Sequence, residues 1–166
     1  DGTVYVGSND NYLYAVDVDG GEEEWRFNAG GLAISPTVVD GTVYAGSDDY
    51  NLYAVDAGSG EEEWRFEARD IVGPPTVVDG TVYVGSDDDN LYAVDAGSGE
   101  EEWRFETGGV VGSPTVADGT VYVGSRDNLY AADAASSEQE WAFETEGEIF
   151  SSPTVVDGTV YVGSLE

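Results

Sequence analysis

The sequence contains no cysteine, no histidine and no lysine. Without cysteine there is no disulfide, no thiolate nucleophile and no soft metal site. Without histidine and lysine, the usual general base, zinc ligand and Schiff-base amine are also absent. Carboxylates, hydroxyls, amides and arginine are the groups left for chemistry. No apolar run approaches the ~20 residues that a membrane-spanning helix needs, so we expect no membrane insertion.

Positive charge is also scarce, because 5 basic residues, all arginine, face 35 acidic ones and leave a net charge of −30. Such a chain repels nucleic acid and anionic membrane surfaces, and neither is predicted as a partner. The composition resembles that of proteins from extreme halophiles, whose acidic surfaces stay hydrated and screened in concentrated salt. A specific cation-binding role is the alternative interpretation.

What the chain does contain is an internal repeat. The stretch Asp-Gly-Thr-Val-Tyr-Val-Gly-Ser occurs five times at a spacing of 39 residues, with Ala45 as its single change. The copies begin at Asp1, Asp40, Asp79, Asp118 and Asp157. A period of this length predicts a repeat architecture. We therefore expect residues 1–166 to form one domain of four ~39-residue repeats and a partial fifth.

Each repeat carries four short strand signals, which we call a, b, c and d. In the third repeat, b, c and d are predicted at 81–85, 91–96 and 102–106, and the next strand a at 114–117. They are rich in Val, Tyr, Thr, Trp and Phe, and Asp-Gly or Asp/Asn turns separate them. This pattern predicts an all-β fold of four-stranded antiparallel units.

The two central strands of each unit are apolar on both faces, so each sheet needs neighbours on both sides. Strand a opens with proline, which suits an edge strand because proline cannot donate to the ladder. Strand d alternates Trp103 and Phe105 with charged residues and is the other edge. Stacked four-stranded blades around an axis satisfy these requirements, which predicts a β-propeller with strand a innermost.

A second motif joins strands c and d and reads Ala, any residue, Asp, three residues, Gly, three residues, Trp. Its copies are Ala15-Asp17-Gly21-Trp25, Ala54-Asp56-Gly60-Trp64, Ala93-Asp95-Gly99-Trp103 and, with serine for glycine, Ala131-Asp133-Ser137-Trp141. This spacing resembles the tryptophan-docking motif of the PQQ-like (quinoprotein-type) β-propeller repeat. The resemblance implies that each tryptophan lies between blades and stacks on the glycine of its neighbour. We expect these residues to be structural docking residues rather than a ligand site.

The PQQ-like family that the motif resembles includes quinone-dependent dehydrogenases and cofactor-free scaffolds of the BamB type. The enzymes are similar to one another in having seven or eight blades and often an adjacent cysteine pair and a lysine or arginine at the quinone. This chain lacks cysteine and lysine, and its arginines lie on strand d or in loops. We therefore predict no catalytic residues, no cofactor and no enzyme activity.

Two weak cation sites follow from the residues. Asp87, Asp88 and Asp89 form the most acidic of the b–c turns and offer the oxygen ligands that calcium and magnesium prefer. Solvated hairpin turns are the competing interpretation. Carbonyl groups near four strand-a threonines could also hold an ion on the propeller axis. These are Thr37, Thr76, Thr115 and Thr154.

Three functions stay open at this point: a non-catalytic scaffold that binds a protein or ligand, an enzyme part, and a fragment or engineered subset of a larger propeller. The way in which the ring closes is also undecided, because both ends of the chain carry the same b sequence, at 2–8 and 158–164. A closed four-bladed ring would displace one copy. Half of an eight-bladed ring would let two chains associate by exchanging terminal strands.

Overall fold

The computed structural model describes residues 2–109, 111–149 and 151–165, so the predicted repeat start at Asp1 lies outside it. These residues form seventeen strands and no helix. None of the elements they form is therefore a helix that could span a membrane. The first seven strands are β1 (Thr3–Gly7), β2 (Tyr12–Asp17), β3 (Glu23–Asn28), β4 (Ala33–Val39), β5 (Thr42–Ser47), β6 (Asn51–Asp56) and β7 (Glu62–Glu67). The next four are β8 (Thr76–Val78), β9 (Thr81–Gly85), β10 (Asn90–Asp95) and β11 (Glu101–Glu106). The last six are β12 (Thr115–Ala117), β13 (Thr120–Ser125), β14 (Asn128–Asp133), β15 (Gln139–Glu144), β16 (Thr154–Val156) and β17 (Thr159–Tyr161).

The strands pair in chain order into antiparallel blades. Three blades have four strands each, β4–β7, β8–β11 and β12–β15. The first blade, β1–β3, lacks strand a, and the last, β16–β17, has only strands a and b. The all-β prediction and the four-stranded unit are confirmed, and the strand bounds of the third repeat differ from the predicted ones by one residue at most.

The a–b turn shows how the sequence fixes this meander. Asp40 and Gly41 both have a positive φ, 50° and 85°, and each later copy of the turn has similar values, 48–51° for the aspartate and 72–81° for the glycine. Two successive residues with positive φ make the tight hairpin turn whose twist matches that of the flanking strands. Because Asp-Gly is one of the dipeptides that favour this conformation, the repeated dipeptide sets the register of the a–b hairpins.

The core lies between successive blades rather than inside a sandwich. In the second and third blades, strands b and c are buried on both faces, so each of these blades contributes one face to the cluster before it and one to the cluster after it. The cluster between the second and third blades contains Tyr44, Leu52, Ala54, Val72, Val82, Val84, Tyr92 and Val94. A single blade therefore cannot bury its own apolar surface, and stability depends on stacking.

The blades form an open series, and ring closure is not shown. No strand pairing joins β1–β3 to β12–β17 in the described part of the chain. The two terminal copies of strand b are both paired, β1 with β2 and β17 with β16, and occupy different blades. Among the described residues the two copies therefore do not compete for one position, which is the competition expected for a four-bladed ring.

Replacing Trp64 by alanine should lower the free energy of unfolding by ~3 kcal/mol, near the lower end of the range for a large aromatic because Trp64 is only half-buried. Its indole is bonded to the next blade, so the loss includes both packing and a hydrogen bond. Denaturant unfolding followed by circular dichroism measures the change.

The matched control is Glu62→Ala on the same strand, whose carboxylate pairs with the exposed Arg65 at 2.9 Å. An exposed ion pair contributes about 0–1 kcal/mol, so this variant should unfold close to the parent. Equal stabilities for the two variants would show that the tryptophan does not hold the blades together.

Candidate functional site

The tryptophans of the c–d motif lie at the junctions between blades. Trp25 donates its indole N–H to the carbonyl oxygen of Ala57 at 3.0 Å. The next two tryptophans repeat this bond at the same length, Trp64 to Ala96 and Trp103 to Ala134. Each bond runs from strand d of one blade to the residue that follows strand c of the next. A half-buried indole thereby keeps a partner for its N–H.

The motif glycines lie under these rings. A Cβ placed on Gly60 would stand 2.7 Å from the ring of Trp25, and one on Gly99 would meet Trp64 at the same distance. Both glycines also have a positive φ, 73° and 74°. Ser137, the serine in the fourth copy, has a positive φ of 61°. Any side chain at the two glycines would therefore both strain the backbone and push the indole away.

Gly21, the first motif glycine, is different because a Cβ there would meet nothing within 4 Å. Trp141, the last motif tryptophan, is 38% exposed. The sequence groups these two residues with the other docking positions, but the structure leaves them at opposite ends of the chain.

Three further kinds of contact join neighbouring blades and were not identified from the sequence. Tyr5 donates its hydroxyl to the same Ala57 oxygen that Trp25 uses, at 3.0 Å. Phe27 meets Tyr53 edge-on with ring centroids 5.1 Å apart. The hydroxyl of Thr37 donates to the Pro75 carbonyl of the next strand a, at 2.8 Å. All four residue types recur with the 39-residue period, and that recurrence is the signal that could have revealed them.

The innermost strands are joined directly by this threonine bond. It repeats from Thr76 to Pro114 at 2.7 Å and from Thr115 to Pro153 at 2.6 Å. The structure thus assigns the proline carbonyls of strand a to neighbouring threonines. The axial cation inferred from the same threonines stays a prediction.

The acidic b–c turns use their carboxylates to hold the turn itself. One oxygen of Asp88 accepts from the backbone N–H and the side-chain amide of Asn90, at 3.1 and 3.0 Å. The other accepts from the hydroxyl of Tyr92 at 2.6 Å and from the backbone N–H of Arg69 at 3.1 Å. Burial raises the pKa of Asp88, but the bonds from Tyr92 and Asn90 outweigh it, so the pKa lies below its usual range. Burial and the Asp88 carboxylate raise the pKa of Tyr92 to about 12.

Asp87 lies beside this turn in a crowded acidic environment. Loss of water around its carboxyl, and then the charges of Asp70 and Asp48 and of its two turn neighbours, raise the pKa of Asp87. The described residues contain no group of three or more carboxylates arranged to hold a metal ion. The cation proposed for Asp87, Asp88 and Asp89 therefore stays a prediction.

The aspartate of the c–d motif caps its own turn. Asp95 accepts from the backbone N–H and the hydroxyl of Ser98, both at 2.8 Å, and from the N–H of Gly97 at 3.1 Å. The side-chain bond and then the backbone bond of Ser98 lower the pKa of Asp95, and Asp56 and Asp133 behave alike. These carboxylates are acceptors in turns and are not arranged as an acid and base pair.

The fold and its repeated junctions define a β-propeller of PQQ-like repeats. A family model described as "Outer membrane protein assembly factor BamB" matches the sequence over residues 1–72, 53–128 and 114–165. The chain belongs to this family. Among curated proteins, none matches the sequence.

Two solved structures share the fold. The crystal structure of the computationally designed Ika8 protein superposes on 99% of this chain and 53% of its own, with a TM-score of 0.87 and 16% identity. BamB from Moraxella catarrhalis superposes on 96% of this chain and 51% of its own, with a TM-score of 0.83 and 23% identity. The chain therefore spans about half the length of these structures.

As the pH is lowered, Asp87 should be protonated before Asp95. Asp87 should take up its proton above the ordinary value of 3.8 and Asp95 below it. The stability that Asp95 contributes is present above pH 3.8 and is lost as the pH falls below it, whereas protonation of Asp87 relieves repulsion. Carboxyl carbon NMR shifts measure both. Titration of the two groups together, or in reverse order, would contradict the turn geometry.

Salt should stabilise the fold strongly, because the screening length falls from ~10 Å at 0.1 M to ~3 Å at 1 M. We expect the thermal midpoint to rise markedly over this range of KCl. Asp87→Asn should raise the midpoint at low salt and lose most of that gain at high salt. Glu138→Gln, an exposed change in another turn, is the control and should show a smaller gain. A midpoint that does not change with salt would exclude charge repulsion as a main term.

Proposed function

We propose that this protein is a non-catalytic β-propeller scaffold whose surface binds another protein. The observation that carries the proposal is the use of the motif residues: the interior tryptophans, glycines and aspartates of the repeat are engaged in blade junctions and turns. Residues that hold a framework together leave its loops and rims free for recognition. The docking residues are accordingly structural in this proposal.

The family supports the same function. Its description names an outer membrane protein assembly factor, which is a role in assembly rather than in catalysis. A protein partner suits a chain whose charge of −30 disfavours nucleic acid and anionic lipid. A role in concentrated salt, where that charge is screened, belongs to the proposal as well.

The arrangement of basic residues argues against a quinone enzyme. Arg26, Arg65 and Arg104 lie on the outer strand d, each half-exposed and beside a glutamate three residues earlier. In the four-stranded blades that hold Arg65 and Arg104, strands b and c separate strand d from strand a, which lines the axis of a propeller. No cofactor is therefore part of the proposed function.

The alternative is a part of a larger propeller that has no independent activity, whether natural or engineered. It is favoured by the open first and last blades and by the half-length match to both solved structures. The purified chain distinguishes the two candidates. A scaffold must be a complete folded unit at its working concentration, whereas a part of a larger propeller need not be.

Adding PQQ and calcium to the purified chain tests the proposal directly. A quinone site would raise the thermal midpoint beyond the effect of calcium alone, because ligands that bind the folded state stabilise it. We expect no such rise and no reduction of a redox dye with alcohol or sugar substrates. Calcium without PQQ is the control. A PQQ-dependent rise or dye reduction would overturn the non-catalytic assignment.

A further inference from the structure

The first blade has an uncovered receiving face, which is the side of a blade that contacts the tryptophan of the blade before it. The carbonyl of Val18 stands where Ala57 and Ala96 accept a tryptophan in later blades, and Gly21 has open space where Gly60 and Gly99 carry a ring. Val4 and Val6 on β1 are 50% and 47% exposed, whereas the corresponding side chains in the next three repeats are at most 1% exposed. This face is built to be covered.

The last complete blade has an uncovered donating face, which is the side that carries the tryptophan and phenylalanine of strand d. Trp141 and Phe143 on β15 are 38% and 59% exposed, because the sheet that follows, β16–β17, has only strands a and b. Tyr122 lies 5.9 Å from Trp141, ring centroid to centroid, and repeats the tyrosine–tryptophan pairs of the earlier junctions. A groove of about 670 Å³ lies between this face and β17 and is lined by Leu129, Trp141, Phe143 and Tyr161 among others.

We propose that two copies of this chain close one ring head to tail, with the donating face of each copy docked on the receiving face of the other. The inference deepens the proposed function, because the scaffold is then complete only in the two-chain ring. The occupant of both faces is a second copy, since each face is one half of a contact that the chain already makes three times within itself. Trp141 would donate to Val18 of the other copy over Gly21, and Phe143 would meet Tyr14 edge-on.

Ring size follows from the fold comparison. BamB is a propeller, and this chain superposes on 51% of it over nearly its whole length. A chain with the curvature of half a propeller needs one further copy to close. Two copies give two identical junctions related by a twofold axis that coincides with the propeller axis. Both exposed faces of each copy are then covered.

The lengths of the strand ladders at each junction indicate which terminal copy of strand b, β1 or β17, is released from its present partner when the ring closes. β16 can add to β1 of the other copy with the register it has with β17, because Thr159, Val160 and Tyr161 correspond to Thr3, Val4 and Tyr5. The β16–β17 ladder spans three residue pairs, whereas β1–β2 spans five. Releasing β17 therefore breaks the shorter ladder, and the completed blade is β16 with β1–β3.

Charge makes this association dependent on salt. Each copy carries −30, so the two faces approach against a strong repulsion at low ionic strength. At ~1 M salt the screening length is ~3 Å, and the apolar contact then dominates. Dimerisation should accordingly tighten with KCl, the reverse of an association driven by opposite charges.

Analytical ultracentrifugation of the purified chain at ~0.1 M and ~1 M KCl tests the proposal. We expect a species of twice the 17.6 kDa chain mass that is favoured by salt and does not grow further with concentration. A monomer at every salt and concentration overturns the second copy as the occupant. Continued growth with concentration overturns ring closure.

Two variants separate docking from folding. Gly21→Ala should weaken dimerisation at least about tenfold, because its Cβ would stand where Trp141 of the other copy docks, although it meets nothing in its own chain. Gly80→Ala is the matched control, since it has a similar positive φ and equally open space but lies in an a–b turn away from both faces. Equal dimerisation of the two variants overturns the docking geometry.

Deleting residues 157–166 tests the strand assignment. If β17 is the strand that gives way, its removal leaves the dimer intact or tightens it, and loss of the dimer would overturn that assignment. These results do not depend on the PQQ experiment. A failed dimer leaves the non-catalytic assignment standing, and quinone binding would overturn that assignment without affecting the mass measurement.

Discussion

The structure depends on one contact repeated along the chain: an indole N–H that crosses from one blade to the carbonyl after strand c of the next, over a glycine. The bond from Trp25 to Ala57 has the same 3.0 Å length as the two that follow it. It combines a satisfied polar group with a large apolar face, which few other side chains offer. Both the spacing of the motif and the stacking of the sheets follow from it.

A fold built in this way is stable only as a series. Strands b and c have two apolar faces, and each face is covered by a different neighbouring blade. Interior blades therefore bury the same side chains almost completely, while the first and last leave theirs in solvent. Repeat proteins generally need modified terminal units for this reason. In this chain the first and last described blades keep the interior sequence, so side chains such as Val4 and Phe143 are exposed where interior blades bury theirs.

The acidic residues serve the same architecture at a cost. Turn aspartates such as Asp88 and Asp95 stabilise tight turns through several hydrogen bonds each. Glutamates on strand d lie on the exposed edge of each blade, where like charges oppose the pairing of edges between molecules. The resulting charge of −30 opposes compaction of the whole chain and is relieved by salt. Specificity at the edges and stability of the fold are thus linked through ionic strength.

The sequence by itself determined the period, the strand order and the position of most strands to within a residue, because alternating apolar residues and Asp-Gly turns act locally. The resemblance to the PQQ-like repeat implied that Trp64 stacks on the glycine of a neighbouring blade, and in the structure that glycine is Gly99. The sequence did not reveal the shared carbonyl acceptors or the Thr76–Pro114 bond, which need two blades in contact. That the described blades follow one another without a strand pairing between the first and the last is seen only in the tertiary structure. The small rotation between neighbouring blades accumulates along the chain, and no single residue encodes it.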